Sequence, residues 1–152
     1  MAADEPIVII GAGPVGLCLA LALAPAGVRS VLVEELGEDN FLEQVPRAGT
    51  NHPATLEMLD RIGLYKRIEP RGIVAPIFHY WDRREGLTAA FDHAVLKDET
   101  RFPYVLQCER IKIVEEAMAM ARAEPLIDLR VATSFTGFVQ DSGGVTAHVA
   151  AT

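Results

Sequence analysis

Cysteine is scarce in this chain: Cys18 and Cys108 are the only two among 152 residues. Two thiols cannot build a disulfide framework, and they fit a reducing compartment. The histidines number four (His52, His79, His93 and His148). They show no metal-ligand spacing with one another or with the cysteines, so no metal site is expected. A basic excess is missing too: 14 Lys+Arg stand against 21 Asp+Glu, a net charge of −7. That balance argues against a nucleic-acid partner or an anionic membrane surface. Plentiful, by contrast, are apolar residues, at 50%, and glycines, at 12. The apolar fraction is enough for a core, the length suits one domain, and disorder is not expected.

The longest uncharged run, Pro6 to Val28, has 23 residues, enough in principle to span a bilayer. It is broken by Gly11, Gly13, Pro14 and Gly16, and it follows Asp4 and Glu5. A signal peptide would need a basic flank there, although Ala24-Pro25-Ala26 imitates a cleavage site. A buried strand, turn and helix explain the run better. No membrane partner and a cytoplasmic location are expected.

Pro6–Ile10 reads as a strand buried on both faces of a parallel sheet. Leu17–Ala26 follows as a helix, apolar all round and so expected to be covered, with Gly27 as its C-terminal cap. Ser30–Glu34 is a second strand that ends on an acid. Together they make a βαβ unit. Residues 35–51 form a long connection without periodicity, of the kind that is often functional. Ala54–Ile62 is a helix with Leu56, Leu59 and Ile62 on one face, closed by Gly63. Ile73–Trp81 and Leu87–Phe91 are expected as a hairpin across Asp82–Gly86. Pro103–Gln107 then leads into a helix, Glu109–Ala123, with Ile111, Val114, Ala117 and Ala121 on its apolar face. A strand at Leu126–Ala132 and a hairpin of Phe135–Gln140 with Val145–Ala150 complete the chain.

The strongest motif is Gly11-Ala12-Gly13-Pro14-Val15-Gly16. Gly11 permits the tight turn off the strand, Gly13 lets a pyrophosphate approach the backbone, and Gly16 lets the helix pack closely on the sheet. The helix N-terminus turns its dipole and free N–H groups toward the anion. Alone the pattern is weak. Here it follows a strand, opens a helix, and is followed by Glu34, 18 residues after Gly16, placed to accept hydrogen bonds from a ribose hydroxyl. The combination points to a dinucleotide. The plainer alternative is a buried turn with an ordinary glutamate at a strand end.

Three further segments carry a resemblance: Pro46-Arg47-Ala48-Gly49, the run Thr55 to Leu64, and Pro103-Tyr104-Val105-Leu106-Gln107-Cys108-Glu109. With the glycine turn and Val31-Leu32-Val33-Glu34, they resemble the flavin-dependent aromatic hydroxylases, single-component FAD monooxygenases of the p-hydroxybenzoate hydroxylase fold. The likeness runs from about residue 6 to 150. It implies FAD as cofactor, with Arg47 reaching it from the long loop and Gln107 from the start of the second long helix. It also implies NADH or NADPH as reductant, O2 as a co-substrate and a phenolic or related aromatic compound as substrate. The cofactor carries such chemistry, so no catalytic residue is named.

The implied architecture is α/β: an incomplete Rossmann-like FAD-binding domain at residues 1–72 and 107–152, with part of a β-rich substrate-binding region inserted at 73–106. Tyr80 and Trp81 are candidates for lining an aromatic pocket, with core packing an equal alternative; His79 and His93 belong to the same region. Cys18 reads as a buried packing thiol, and Cys108 shows no sign of a nucleophile. Glu35 departs from the family, which usually has a basic residue there, and leaves two acids at the ribose end. The family's Asp-Gly and later Gly-Asp motifs are also missing, so the chain is expected to be the N-terminal third of such an enzyme, with exposed edges that favour homo-oligomers or aggregation. The alternatives are another FAD-dependent oxidase or dehydrogenase, or a non-catalytic nucleotide-binding or partner-packing chain.

Overall fold

The computed structural model describes residues 5–37 and 49–152, so Arg47 lies outside the described residues. The described residues fall into two compact units, one from residues 5–37 with 113–152 and another from 49–112.

In the first unit, β1 (Ile7–Ile10) pairs in parallel with β2 (Ser30–Val33), and β2 pairs in parallel with β8 (Ile127–Arg130), giving the order β1-β2-β8. The expected βαβ unit is present. Between β1 and β2 runs α1 (Pro14–Leu23), which starts three residues earlier than the sequence reading placed it. Pro14 suits that first position because it has no N–H to leave unpaired and its φ is preset. A 3-10 turn at Ala24–Ala26 follows, since Pro25 cannot donate to the preceding turn, and Gly27 caps it at φ +74°.

Two burial expectations need correction. In β1 only Ile9 is buried, while Ile7, Val8 and Ile10 are 41–49% exposed. The reason is that β1 is an edge strand of the described sheet, and α1 shields the face of Ile9 rather than both faces. For the same reason α1 is covered on one side only. Gly16, Leu17, Ala20 and Leu21 are buried, Val15 and Leu19 are exposed, and Cys18 is half-buried. The last strands, β9 (Thr133–Asp141) and β10 (Gly144–Ala151), form an antiparallel hairpin across Ser142-Gly143. The Asp141 side chain accepts the Gly143 N–H at 2.7 Å and fixes that turn.

The second unit pairs β3 (Thr50–Asn51) and β4 (Ile73–Ala75) on either side of β7 (Val105–Gln107), both antiparallel. Helices α2 (Pro53–Arg61) and α3 (Tyr65–Ile68) supply Leu56, Leu59, Tyr65 and Ile68 to a core with Phe102, Val105 and Leu106. The single strand expected over Ile73–Trp81 is two. Pro76 has no N–H for a ladder, and at that point β4 ends on β7 while β5 (Ile77–Asp82) begins a separate hairpin with β6 (Gly86–Asp92). The helix α4 (Arg110–Ala123), whose residues from Ile113 onward belong to the first unit, buries Ile113 and Met118 along with Val114, Ala117 and Ala121. Ile111, expected on that face, is only partly covered. Among the described residues no helix is long and apolar enough to cross a membrane.

Candidate functional site

The chain leaves β1 through Gly11 at φ +96°, a left-handed conformation that a side chain would strain. The Gly11 N–H still bonds the Val33 carbonyl at 2.7 Å, so the turn stays fastened to β2. Gly13 is the N-cap of α1, with φ −67° and ψ 179°, and no side chain caps the helix. A Cβ added at Gly13 would meet no atom within 4 Å, so the approach to the helix start is open on that side. The first-turn N–H groups of a helix have no acceptor within it and are available to an anion. Gly16 is different. A Cβ there would lie 2.0 Å from the Gly11 carbonyl oxygen and 3.3 Å from Ile9 Cγ2, so only glycine lets α1 sit against its own turn and β1.

Glu34 stands just past β2 and is buried, at 8% exposure. One carboxylate oxygen accepts the Ala12 N–H at 2.8 Å and the other accepts the Leu36 N–H at 3.0 Å. The glutamate thus clasps the glycine turn, a role that spacing alone did not reveal. A carboxylate offers roughly four lone-pair positions, and these two bonds leave capacity for a hydroxyl donor. Beside it lies a groove of about 270 Å³, lined by Gly11, Glu34 and exposed Glu35 together with Thr133 and Phe135 of β9. The structure therefore brings the turn and both acids to one place and adds two residues that the sequence reading missed. No local signal marks Thr133 and Phe135; they arrive through the packing of β9 on β2, including the Thr133 N–H bond to the Glu34 carbonyl at 2.8 Å.

In the other unit, Gly49 and Gln107, far apart in sequence, adjoin through the β3–β7 pairing. A Cβ at Gly49 would lie 2.0 Å from the Cys108 carbonyl oxygen, and the Gly49 carbonyl accepts the Cys108 N–H at 2.8 Å. That contact gives the glycine of the Pro-Arg-Ala-Gly segment a steric reason. Gln107 is half-buried, and its Oε1 accepts the Thr50 hydroxyl at 3.0 Å. Asn51, which the sequence reading did not single out, is buried and donates from Nδ2 to the Gly49 and Leu106 carbonyls at 3.3 and 3.1 Å. Cys108 is buried, and that burial pushes its thiol up despite nearby Lys112 and Arg71, so it remains a thiol rather than a nucleophilic thiolate. Among the described residues no cluster of His, Cys, Asp or Glu is able to hold a metal ion.

Comparison with known proteins agrees with this geometry. A family model described as an FAD binding domain matches residues 4–152. Para-nitrophenol 4-monooxygenase of Pseudomonas sp. (strain WBC-3) is 32% identical over 126 residues, covering 83% of this chain and 30% of that protein. The 12-dehydrotetracycline 5-monooxygenase/anhydrotetracycline 6-monooxygenase of Streptomyces rimosus is 32% identical over 143 residues, covering 94% of this chain and 26% of that protein. The crystal structure of p-nitrophenol 4-monooxygenase from Pseudomonas putida DLL-E4 superposes with a TM-score of 0.83 at 31% identity, over 99% of this chain and 40% of that one. The chain thus spans a quarter to two fifths of the length of these relatives. With a strand, an open glycine turn, an uncapped helix start and an acid at the next strand end, the chain belongs to the FAD-binding domain family.

Proposed function

We propose that this chain supplies FAD-binding structure to a flavin-dependent monooxygenase acting on a phenolic or related aromatic compound. The observation that carries the reading is the open helix start at Gly13, with a clasped carboxylate, Glu34, beside it. Residues Gly11, Ala12, Gly13, Pro14, Val15 and Gly16 would form the pyrophosphate site. Gly11 and Ala12, whose N–H groups bond Val33 and Glu34, and Pro14, which has none, would shape the turn. First-turn N–H groups such as that of Val15 would donate to the phosphates, and Glu34 would hold the ribose. Glu35 borders the same groove. Arg47 would make charge-assisted hydrogen bonds to the cofactor, and Gln107, fixed by Thr50, would contact it from the end of β7. Residues 73–106 would contribute to the substrate region. When bound, the flavin supplies the redox and oxygen chemistry, with NADH or NADPH as reductant and O2 as oxygen source. This chain's residues bind, orient and shield.

The test is titration of the purified chain with FAD, followed by gel filtration and a visible spectrum. Flavin bands that travel with the protein are expected, and Gly13→Val is expected to lose them while keeping the fold. A wild-type chain that stays colourless at saturating FAD would overturn the reading.

A further inference from the structure

We propose that one face of the β5–β6 hairpin is a binding groove for a single-ring phenol, with His93 Nε2 accepting the hydrogen bond of its hydroxyl. The inference rests on the monooxygenase reading and names the substrate class. Strand alternation separates the aromatic residues of β5. Phe78 and Tyr80 meet at 5.0 Å between ring centroids, and Tyr80 meets Phe91 at 5.8 Å, all edge-to-face. His79 and Trp81 pair with each other instead, on the opposite face. The Phe78–Tyr80–Phe91 face forms a groove of about 290 Å³, bounded also by His52 and His93.

Three features select the occupant. The volume lies just below the roughly 300–1,000 Å³ usual for small-molecule sites, which suits one ring better than a fused polycycle. The walls are three aromatic rings, which favour an aromatic ligand in edge or offset contact. Among the described residues no Lys, Arg, Asp or Glu lines the groove, and the polar groups that border it are the two imidazoles and the Tyr80 hydroxyl. His93 is set to recognise a polar substituent. Its backbone N–H and its Nδ1 both reach the Pro76 carbonyl, at 2.9 and 3.0 Å. A carbonyl only accepts, so Nδ1 carries the proton, and in the neutral ring Nε2 is the acceptor. Asp92 holds the following turn by accepting the Ala94 N–H at 2.8 Å, so the imidazole stands on a fixed base.

The experiment is equilibrium dialysis of the FAD-treated chain against 4-nitrophenol and 4-nitroanisole, at a pH where the phenol is protonated. The two probes differ only in the methyl that caps the hydroxyl. One good hydrogen bond should make nitrophenol bind about tenfold more tightly. His93→Asn keeps a donor for the Pro76 carbonyl but lacks Nε2, and it should erase that preference, so that the two probes bind about equally. His93→Gln reaches further, presents an oxygen near the Nε2 position, and should restore part of the preference. Phe78→Ala should weaken both probes. Absence of saturable binding, equal binding of the two probes, or a preference that survives His93→Asn would overturn the inference. Flavin absorbance of the same samples keeps the two readings apart. Retained flavin without phenol preference sinks this inference alone; phenol preference without flavin supports it and sinks the cofactor reading alone.

Discussion

At the glycine turn, what a ligand would meet first is backbone: the uncapped start of α1 and the open space over Gly13, with the Glu34 carboxylate clasping the turn. At the β5–β6 hairpin the backbone is spent on the ladder, and a ligand in the proposed groove would meet the side chains of Phe78, Tyr80, Phe91, His52 and His93. The first kind of site depends on what is absent, since a side chain at the wrong glycine fills it. The second depends on what is present and on which strand face it occupies. A backbone site therefore tolerates few substitutions at few positions, whereas a side-chain site is retuned one residue at a time.

The hardest break of the first region is Gly16→Ala. Alanine favours a helix over glycine by about 1 kcal/mol. Here its Cβ would sit 2.0 Å from the Gly11 carbonyl oxygen, and backbone cannot step aside as a flexible side chain does. Overpacking of this kind costs about 3 kcal/mol, so the clash wins and urea denaturation should show a net loss of about 2 kcal/mol. Gly13→Val at the open position is the paired control. Its extended backbone accepts any residue, and stability should move by no more than about 0.5 kcal/mol while FAD affinity falls about tenfold or more. Equal destabilisation by both variants would erase the division between a packing glycine and a binding glycine.

Next in size is Glu34→Gln. The amide keeps one acceptor, so either the Ala12 or the Leu36 N–H loses its partner, and the charge assistance goes with it. Hydrogen bonds to a charged group are worth about 1.5–3 kcal/mol, and a loss of about 2 kcal/mol in denaturation midpoint analysis is expected. Glu35→Gln, at an exposed neighbour, should fall within about 0.5 kcal/mol of wild type. If the two variants behave alike, Glu34 is not the clasp of the turn.

The contrast also explains what was legible in the sequence. The glycine turn is a local code: spacing within six residues sets the conformation, so Gly11, Gly16 and the acid at the end of β2 were readable before any fold was known. The same holds for Gly27 and Gly63, each at positive φ where a helix stops. Contacts made by distant segments were not readable. Phe135 and Thr133 reach the groove only because β9 packs on β2, and Asn51 is buried only because β3 pairs with β7. Exposure of β1 and of one side of α1 was misjudged for a related reason: an apolar run shows that a segment is able to be buried, not how many neighbours cover it. In the hairpin, Tyr80 and Trp81, both candidates for lining an aromatic pocket, are adjacent strand residues and so point to opposite faces. Arg47, identified through the family resemblance, lies outside the described residues.

A smaller effect tests the interior of the second unit. The Tyr65 hydroxyl donates to Glu69 at 2.7 Å and meets the Tyr104 hydroxyl at 2.6 Å, beside the Phe102 ring. Burial first, then these hydrogen bonds, push the phenol well above its ordinary range. The folded chain thus holds this proton more tightly than the unfolded chain. Its contribution is complete below the unfolded tyrosine value of about 10 and is lost as pH rises beyond it. Tyr65→Phe should cost about 1 kcal/mol at neutral pH and flatten the alkaline decline in thermal stability. An unaltered alkaline limb would place the titrating group elsewhere.

The smallest expected change is the sharpest test of the hairpin's two faces. Trp81 is 68% exposed and pairs with His79, away from the Phe78–Tyr80–Phe91 cluster. Trp81→Ala removes the largest aromatic surface in the hairpin, yet it should leave 4-nitrophenol affinity within about twofold of wild type, because exposed residues away from a site rarely shift a free energy by more than about 0.5 kcal/mol. Tyr80→Ala, one residue away, should weaken the same probe clearly by opening a wall of the groove. Loss of binding in Trp81→Ala with none in Tyr80→Ala would move the binding face to the other side of the sheet. The side-chain site would then be governed by the His79–Trp81 pair, and the glycine turn would be untouched by that reversal.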